Sequence, residues 1–409
     1  MFRFLHSADI HLDSPLLKLE YYEGAPIEAL RGATRQAFQN LVDLAISESV
    51  DFVLISGDLY DGDWKDYNTG LYFVRQMSKL KEAKIPVCIV AGNHDAASKM
   101  TKTLRLPDNV LMFPTDKPHS FLMEHLGVAI HGQGFSSPAI KKDLSAAYPD
   151  AIPGMFNIGM LHTCATGREG HDTYAPCTID ALTSKGYDYW ALGHVHQREI
   201  LSENPMVVFP GNIQGRHIRE SGSKGCMLVT VDDSINTEFR SLDVIRWETI
   251  RVHSDADSYE LSNLISEQFK ILSDQHDNMP LAVRIEVQGE SYPADPESWQ
   301  NEIRALAVAS GGRIWVEKII FHPVQTSDKP SIVSDKGPVG EILQIFQEYH
   351  ANPAKLKAAA ESLNDLFVKL PADLRQGPDA AFSTDSDWLK QMLREAEPLL
   401  LARLRSEAK

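Results

Sequence analysis

The sequence predicts a layered α/β fold, two sheets flanked by helices, and three observations predict it. Short apolar, β-branched runs alternate with helical patterns through about residue 245. Between residues 158 and 239 the runs crowd closer, as strands of a second sheet would. Several runs stop abruptly at a residue able to ligate a metal, which places those residues at the strand-end edge where open α/β sheets bind ligands.

The elements follow in order. Strand-like runs lead to His6-Ser7-Ala8-Asp9-Ile10-His11, to Ser56-Gly57-Asp58, to Gly92-Asn93-His94-Asp95, to His162, and to Gly193-His194-Val195-His196. Helical spacing covers 27–49 and 71–83, and strands over 206–209, 225–232 and 237–242 read as the second sheet. Residues 1–245 thus form a first domain. Over 246–323 the pattern restarts as strand 248–252, helix 259–272, strand 282–287, helix 296–309 and strand 313–321, a βαβαβ unit the size of a small domain. It holds no ligand cluster and is expected to cover the catalytic face. A Pro/Gly-rich stretch, 324–338, reads as a linker.

Helical spacing fills 339–409. One apolar stripe comprises Val339, Ile342, Leu343, Phe346 and Tyr349, and a second Leu356, Leu363, Leu366, Phe367 and Leu370. The third, Leu389, Met392, Leu393, Leu399 and Leu400, is interrupted by Pro398. These stripes either pack on one another or offer a docking surface to a partner helix.

With 409 residues the chain exceeds one ordinary domain, and 43% hydrophobic with 23% charged residues is a globular composition. No apolar run is long enough for a membrane span, and the N-terminal segment lacks the apolar core of an export signal. A cytoplasmic protein is expected. Four cysteines without CxxC spacing suit reduced thiols and argue against a disulfide frame or a zinc ribbon. The net charge of −16 is shared between the parts before and after Asp243, so no basic domain hides in the average. Nucleic acid then requires bound cations to offset carboxylates, or a partner to carry the basic surface.

Asp9, His11, Asp58, Asn93, His162, His194 and His196 together offer two carboxylates, one amide oxygen and four imidazoles. Carboxylate charge can bridge two cations, and neutral imidazole holds a borderline transition metal without over-neutralising it. Glycine before Asp58, Asn93 and His194 permits tight turns and close backbone approach. Each dyad alone is weak evidence; the ordered set of Asp-x-His, Gly-Asp, Gly-Asn-His-Asp, His and Gly-His-x-His is strong.

In these motifs the chain resembles the calcineurin-like metallophosphoesterases. More narrowly it is similar to the SbcD-type DNA-repair nucleases, above all their YhaO-like members, with residues 6–16 as the narrowest fingerprint. The resemblance implies a four-layer α/β/β/α sandwich, a capping domain and a helical partner-binding region. It implies that Asp9, His11 and His196 hold one divalent cation, that Asn93, His162 and His194 hold another, and that Asp58 bridges them. The family likeness favours manganese, while mixed nitrogen and oxygen ligation also suits iron or zinc. It implies phosphodiester hydrolysis on DNA, an SbcC-like coiled-coil ATPase as partner, and a homodimer. A stand-alone enzyme acting on small phosphodiesters or nucleotides is the alternative, because fold and metals do not choose the substrate.

His94 lies beside a ligand but outside the metal set, which makes it the candidate to stabilise the transition state or protonate a leaving 3′-oxygen, with Asp95 expected to orient its ring. Asp61 stands where many relatives carry a second histidine associated with handling the DNA end, and an acid there is expected to discourage phosphate. Lys99, Lys102, Arg105, Arg168, Arg216 and Arg219 flank the motifs and offer either phosphate contacts or a solvated charged face. His131 reads as structural, and His171 and Asp172 lie in a Gly-rich loop near His162.

Overall fold

Strands β1 (Phe2–Ser7), β2 (Phe52–Ser56) and β3 (Val87–Val90) run parallel, with β4 (Val110–Met112) beyond β3. Alternate side chains point to opposite faces: Phe2, Phe4, Phe52, Leu54, Cys88 and Val90 to one, Leu5, Val53, Ile55, Val87 and Ile89 to the other. Both faces are buried. A strand covered on both sides needs apolar residues at every position, which is why these segments appear as unbroken runs. The architecture comes from a computed structural model, which describes residues 1–14, 25–61, 67–97, 105–165, 175–253, 258–277, 279–289, 295–323, 338–362, 369 and 386–407.

One face of this sheet is covered by helices α1 (Ile27–Ser47) and α2 (Tyr67–Glu82), through Ala37, Phe38 and Leu41 of the first and Phe73 and Met77 of the second. A short helix, α3 (Asn93–Ala97), follows β3. The other face meets a second sheet made of β5 (His119–Met123), β6 (Val128–Gly132), β7 (Phe156–His162), β8 (Tyr189–Gly193), β9 (Glu199–Glu203) and β10 (Met206–Phe209), in the order β5-β6-β7-β8-β10-β9. Ile130, Ile158, Met160, Ala191 and Val208 interleave with the first sheet, and the rings of Phe4 and Phe52 stack at 4.9 Å while Tyr189 meets Phe4 edge-on at 5.3 Å. Aromatic pairs of this kind contribute about 0.5–1.5 kcal/mol each beyond the area they bury. The outer face of the second sheet, including Trp190 and Leu192, is covered by Phe135, Tyr148 and Leu182, the last from α4 (Ile179–Thr183). Helices, sheet, sheet and a thinner helical layer make up the sandwich.

The structure corrects the membership of two strands. β11 (Gly225–Val231) and β12 (Ile235–Ser241) belong to the first sheet, where β11 pairs antiparallel with β1. Their hairpin is local, closed by Ser234 N–H donating to Asp232 Oδ1 at 2.9 Å, but which sheet a hairpin joins is a long-range matter. Met227, Val229 and Val231 fill the space between the sheets beside Phe2 and Phe4. The second sheet instead begins earlier, at β5 and β6.

Polar stitches join the sheets near their strand ends. His6, fully buried on β1, accepts from Tyr189 Oη through Nδ1 at 3.0 Å and donates through Nε2 to the Leu192 carbonyl at 3.1 Å. Burial pulls its pKa down to about 3, so the ring is neutral. Ser56 Oγ donates to the Ala191 carbonyl at 2.9 Å.

The chain divides into two units, Met1–Glu248 with Met279–Ala282, and Thr249–Asn278 with Val283–Lys409. The second contains most of a three-stranded sheet, β13 (Arg246–His253), β14 (Leu281–Gly289) and β15 (Ile314–Pro323), whose strands are connected by α5 (Ser258–Gln275) and α6 (Pro296–Ala309). α6 starts where Asp295 accepts from Ser298 N–H and Pro296 occupies the first turn. Helices α7 (Pro338–Ala351), α8 (Pro353–Glu361) and α9 (Ser386–Glu407) pack together through Leu356, Ala360 and Leu389, with Tyr349, Trp388 and Leu393 alongside. Pro338 opens α7 rather than ending the linker, and α9 passes through Pro398 without a break. The rest of the linker, 324–337, and Leu363, Leu366, Phe367 and Leu370 lie outside the described residues. No helix among the described residues is long and apolar enough to cross a membrane.

Candidate metal centre

The parallel strands β1, β2, β3, β7 and β8 all end at one edge, and the residues that follow them converge there. The backbone turns sharply at this edge. Asp9, His11, Asp58 and His194 have φ of 51°, 45°, 49° and 104°, in the left-handed region that side-chain-bearing residues rarely adopt. Hydrogen bonds hold these turns: Asp9 N–H donates to the Gly57 carbonyl and His11 N–H to the Asp58 carbonyl, each at 3.0 Å. His194 N–H donates to both oxygens of Asp9, at 3.1 and 3.0 Å, and His94 N–H to Oδ1 of Asp58 at 3.0 Å. Gly92 leaves the space that Asp58 uses, since a Cβ there would strike the Asp58 carboxylate.

Ligating atoms of Asp9, His11 and His196, of His11, Asp58 and His94, and of Asp58, His162 and His194 lie within 4.8 Å of one another in each group. Nε2 of His11 and Nε2 of His196 stand 3.2 Å apart, with Asp9 Oδ1 3.9 Å from the latter. Two ring nitrogens so close repel unless a proton or a cation lies between them. Asn93 Oδ1 is 2.9 Å from His162 Nε2, which in turn is 3.4 Å from Asp58 Oδ2. The donor set of buried carboxylates, one amide oxygen and imidazoles fits divalent cations of intermediate softness.

Charge is finely divided in this cavity. Burial pushes Asp9 above the usual carboxylate range. For Asp58 burial acts the same way, but His162 and the neighbouring imidazoles outweigh it and hold the carboxyl far below that range. Burial lowers His11 to about 3, aided by the Arg216 cation. His162 is pulled down by burial yet ends at about 9, because the Asp58 carboxylate prevails.

The role expected for Asp95 is corrected. Its carboxylate accepts from the backbone N–H groups of Leu59, Tyr60 and Gly92 at 3.1, 2.9 and 2.9 Å, pinning the β2 and β3 loops together. Burial and the nearby Asp58 raise its pKa to about 6. The carboxylate that meets His94 is Asp61, with Oδ1 2.9 Å from Nδ1. Asp61 also accepts from Ser14 Oγ at 2.5 Å and lies 3.6 Å from His11 Nδ1 and 3.8 Å from Arg216 Nη1. Burial would raise it, but these contacts hold it far below the carboxylate range. Its hydrogen bond raises His94, whose side chain is 39% exposed and thus open to a substrate.

Glu220, absent from the sequence reading, sits behind the metal-side histidines. Its Oε1 accepts from His196 Nδ1 at 2.7 Å and from Arg216 Nη2 at 3.0 Å, and its Oε2 accepts from Asn212 Nδ2 and Arg216 N–H at 2.9 and 2.8 Å. Burial opposes ionisation, yet His196 and Arg216 keep it well below the usual range. Arg216, expected either to contact phosphate or to lie on a solvated charged face, is turned inward onto this acid. Lys224, also buried, donates to the His196 carbonyl at 3.1 Å. In the sequence, Arg216 and Glu220 stand four residues apart, with nothing to tie either to His196. Arg105 and Arg219 are exposed, whereas Lys99, Lys102, Arg168, His171 and Asp172 lie outside the described residues. His131 is fully buried in the second sheet, between Ser120 Oγ at 2.7 Å and Asn157 Oδ1 at 3.1 Å.

Residues 2–198 match the family model of calcineurin-like phosphoesterases, and residues 247–323 match the middle domain of metallophosphoesterase YhaO. An uncharacterized metallophosphoesterase, YhaO of Bacillus subtilis, is 36% identical over 70% of this chain and 71% of its own length. The chain belongs to the calcineurin-like phosphoesterase family. As a member of that metallophosphoesterase family it is a phosphoester hydrolase that uses divalent cations, and it carries groups of residues able to hold them. A DNA double-strand break repair protein, Mre11 of Sulfurisphaera tokodaii, is 25% identical over 58% of this chain and 61% of its own. Among solved structures, a dimetal phosphatase from Danio rerio aligns with a TM-score of 0.37 and 12% identity, over 59% of this chain and 96% of that one, too remote to carry weight.

Proposed function

We propose that this phosphoesterase is a DNA nuclease, cutting phosphodiester bonds as the catalytic partner, itself a homodimer, of an SbcC-like coiled-coil ATPase. The observation that carries the catalytic part is the His94–Asp61 pair at the rim of the converged ligands, a proton donor placed beside the metal-binding side chains. Bound divalent cations would supply Lewis acidity toward phosphoryl oxygens and make water a competent nucleophile at neutral pH. Asp9, His11 and His196 would hold one, Asn93, His162 and His194 the other, with Asp58 between them. Manganese is favoured by resemblance, and iron or zinc would suit the same donors.

The chain's own contribution is positional and protonic. Asp61 engages Nδ1 of His94 and raises its pKa, so the ring keeps a proton nearer neutrality and Nε2 is the nitrogen left to deliver it to the departing oxygen. DNA as substrate is supported by similarity to a protein named for double-strand break repair. Docking of an ATPase is supported by the resemblance that implies it, with the helical stretch α7 to α9 as the region assigned to it.

A second reading, hydrolysis of small phosphodiesters without a partner, is favoured by the inward pairing of Arg216 with Glu220 and by the net charge of −16. Incubation of the purified protein with Mn²⁺ and linear duplex DNA, single-stranded DNA or a chromogenic phosphodiester separates the two. Cleavage of the small ester alone overturns the nuclease reading. Deleting residues 338–409 is expected to abolish copurification with the ATPase while sparing small-ester hydrolysis.

A further inference from the structure

The two sets of candidate ligands are backed by different chemistry. His162 directs Nδ1 at a neutral carbonyl, that of Ser56, at 3.0 Å. His196 directs Nδ1 at a carboxylate, Oε1 of Glu220, at the shorter distance of 2.7 Å. Glu220 is 5% exposed and is fixed in turn by Asn212, by the Arg216 backbone N–H and by the Arg216 guanidinium, so it has no freedom to turn away. The support falls on a side chain that is 28% exposed, whereas His11 and His162 are buried at 1% and 0% and His194 is, like His196, partly exposed.

A carboxylate hydrogen-bonded to the far nitrogen of a ligating imidazole fixes the tautomer, leaving Nε2 with its lone pair toward the cation, and increases the basicity of that lone pair. A carbonyl fixes the tautomer but adds no charge. We infer that Glu220 is a positioning residue that makes Asp9, His11 and His196 the stronger of the two cation positions, the one that fills first. The inference rests on the two-cation reading above and adds an order of occupancy to it. Arg216 moderates the effect without cancelling it: its guanidinium meets Oε1 and Oε2 of the same acid, which keeps Glu220 ionised but leaves its shortest contact with the imidazole.

The test is calorimetric titration of Mn²⁺ into protein stripped by a chelator, with no substrate present. Wild-type protein is expected to take up two ions with separable affinities. Glu220→Gln, which keeps the size of the side chain and removes its charge, is expected to weaken the tighter step by about 10- to 100-fold and leave the weaker step in place. Asn93→Ala, which removes a donor from the other position, is expected to weaken only the weaker step. An unchanged isotherm for Glu220→Gln, or a loss falling on the same step as in Asn93→Ala, overturns the inference while sparing the two-cation reading; wild-type protein that takes up no Mn²⁺ overturns both. Should Glu220→Gln fail to give a cooperative melt in chelator, Glu220→Asp, which draws the carboxylate back from Nδ1 but keeps its charge, takes its place. Its tighter step is then expected to weaken as well, and an unaltered one overturns the inference.

Discussion

The Nδ1 atom of His94 lies 2.9 Å from Oδ1 of Asp61, an acid that three other side chains, those of Ser14, His11 and Arg216, approach from behind and beside. The acid expected to discourage phosphate at this position is thus also engaged with an imidazole. Asp61→Asn is expected to lower turnover about 10- to 100-fold on an alkyl phosphodiester and far less on an aryl ester whose leaving group needs no proton. Equal losses on both esters, measured as kcat, would remove proton delivery from the role of this pair.

His94→Ala tests the donor itself. Its backbone N–H, which donates to Asp58, survives the change, so Asp58 stays in place. Turnover is expected to fall about 10²- to 10⁴-fold with metal content unaltered by elemental analysis. Loss of metal in step with activity would instead mark His94 as a ligand, as its place beside His11 and Asp58 allows.

Gly92→Ala places a methyl group against the Asp58 carboxylate and its backbone N–H. The backbone gives little, since Gly92 N–H is held by Asp95. Stability is expected to fall by about 1–3 kcal/mol, the usual cost of overpacking, with metal retention lost more completely than fold. A variant that melts and binds metal like wild type would show that the loop has slack.

Acidification should act through His6. Its folded pKa of about 3 lies below the unfolded value of 6.5, so between these the unfolded chain binds a proton that the folded one refuses. Stability thus falls as pH drops from 6.5 toward 3, at up to about 1.4 kcal/mol per pH unit from this group. Urea midpoints across that window should decline more steeply for wild type than for His6→Gln, and parallel profiles would count against the buried neutral ring.

Much of the centre was legible because its logic is local. Asp9, Asp58, Asn93, His162 and His194 each follow or end an apolar strand, and the parallel strands within each of the two sheets present their ends together. Asp95 was misassigned because adjacency to His94 says nothing of direction: at the start of α3 its side chain turns back to backbone donors of the β2 and β3 loops. Glu220 left no readable trace, since it comes from a short 3-10 turn, Ile218–Glu220, and meets His196 only through tertiary packing. The same limit applies to β11, whose strand character the sequence shows but whose pairing with β1, over two hundred residues earlier, it does not.

Asp9, Asp58 and Asn93 hang from the first sheet, and His162, His194 and His196 from the second. Any occupant of the centre is consequently a clasp across the sandwich, and at a free concentration of one hundred times its dissociation constant it tightens the closed arrangement by about 2.7 kcal/mol. Sliding of one sheet over the other, even by a fraction of a residue, would open the clasp before it exposed any core. Damage deep in the interior should therefore surface first as leakage of metal, with melting following later.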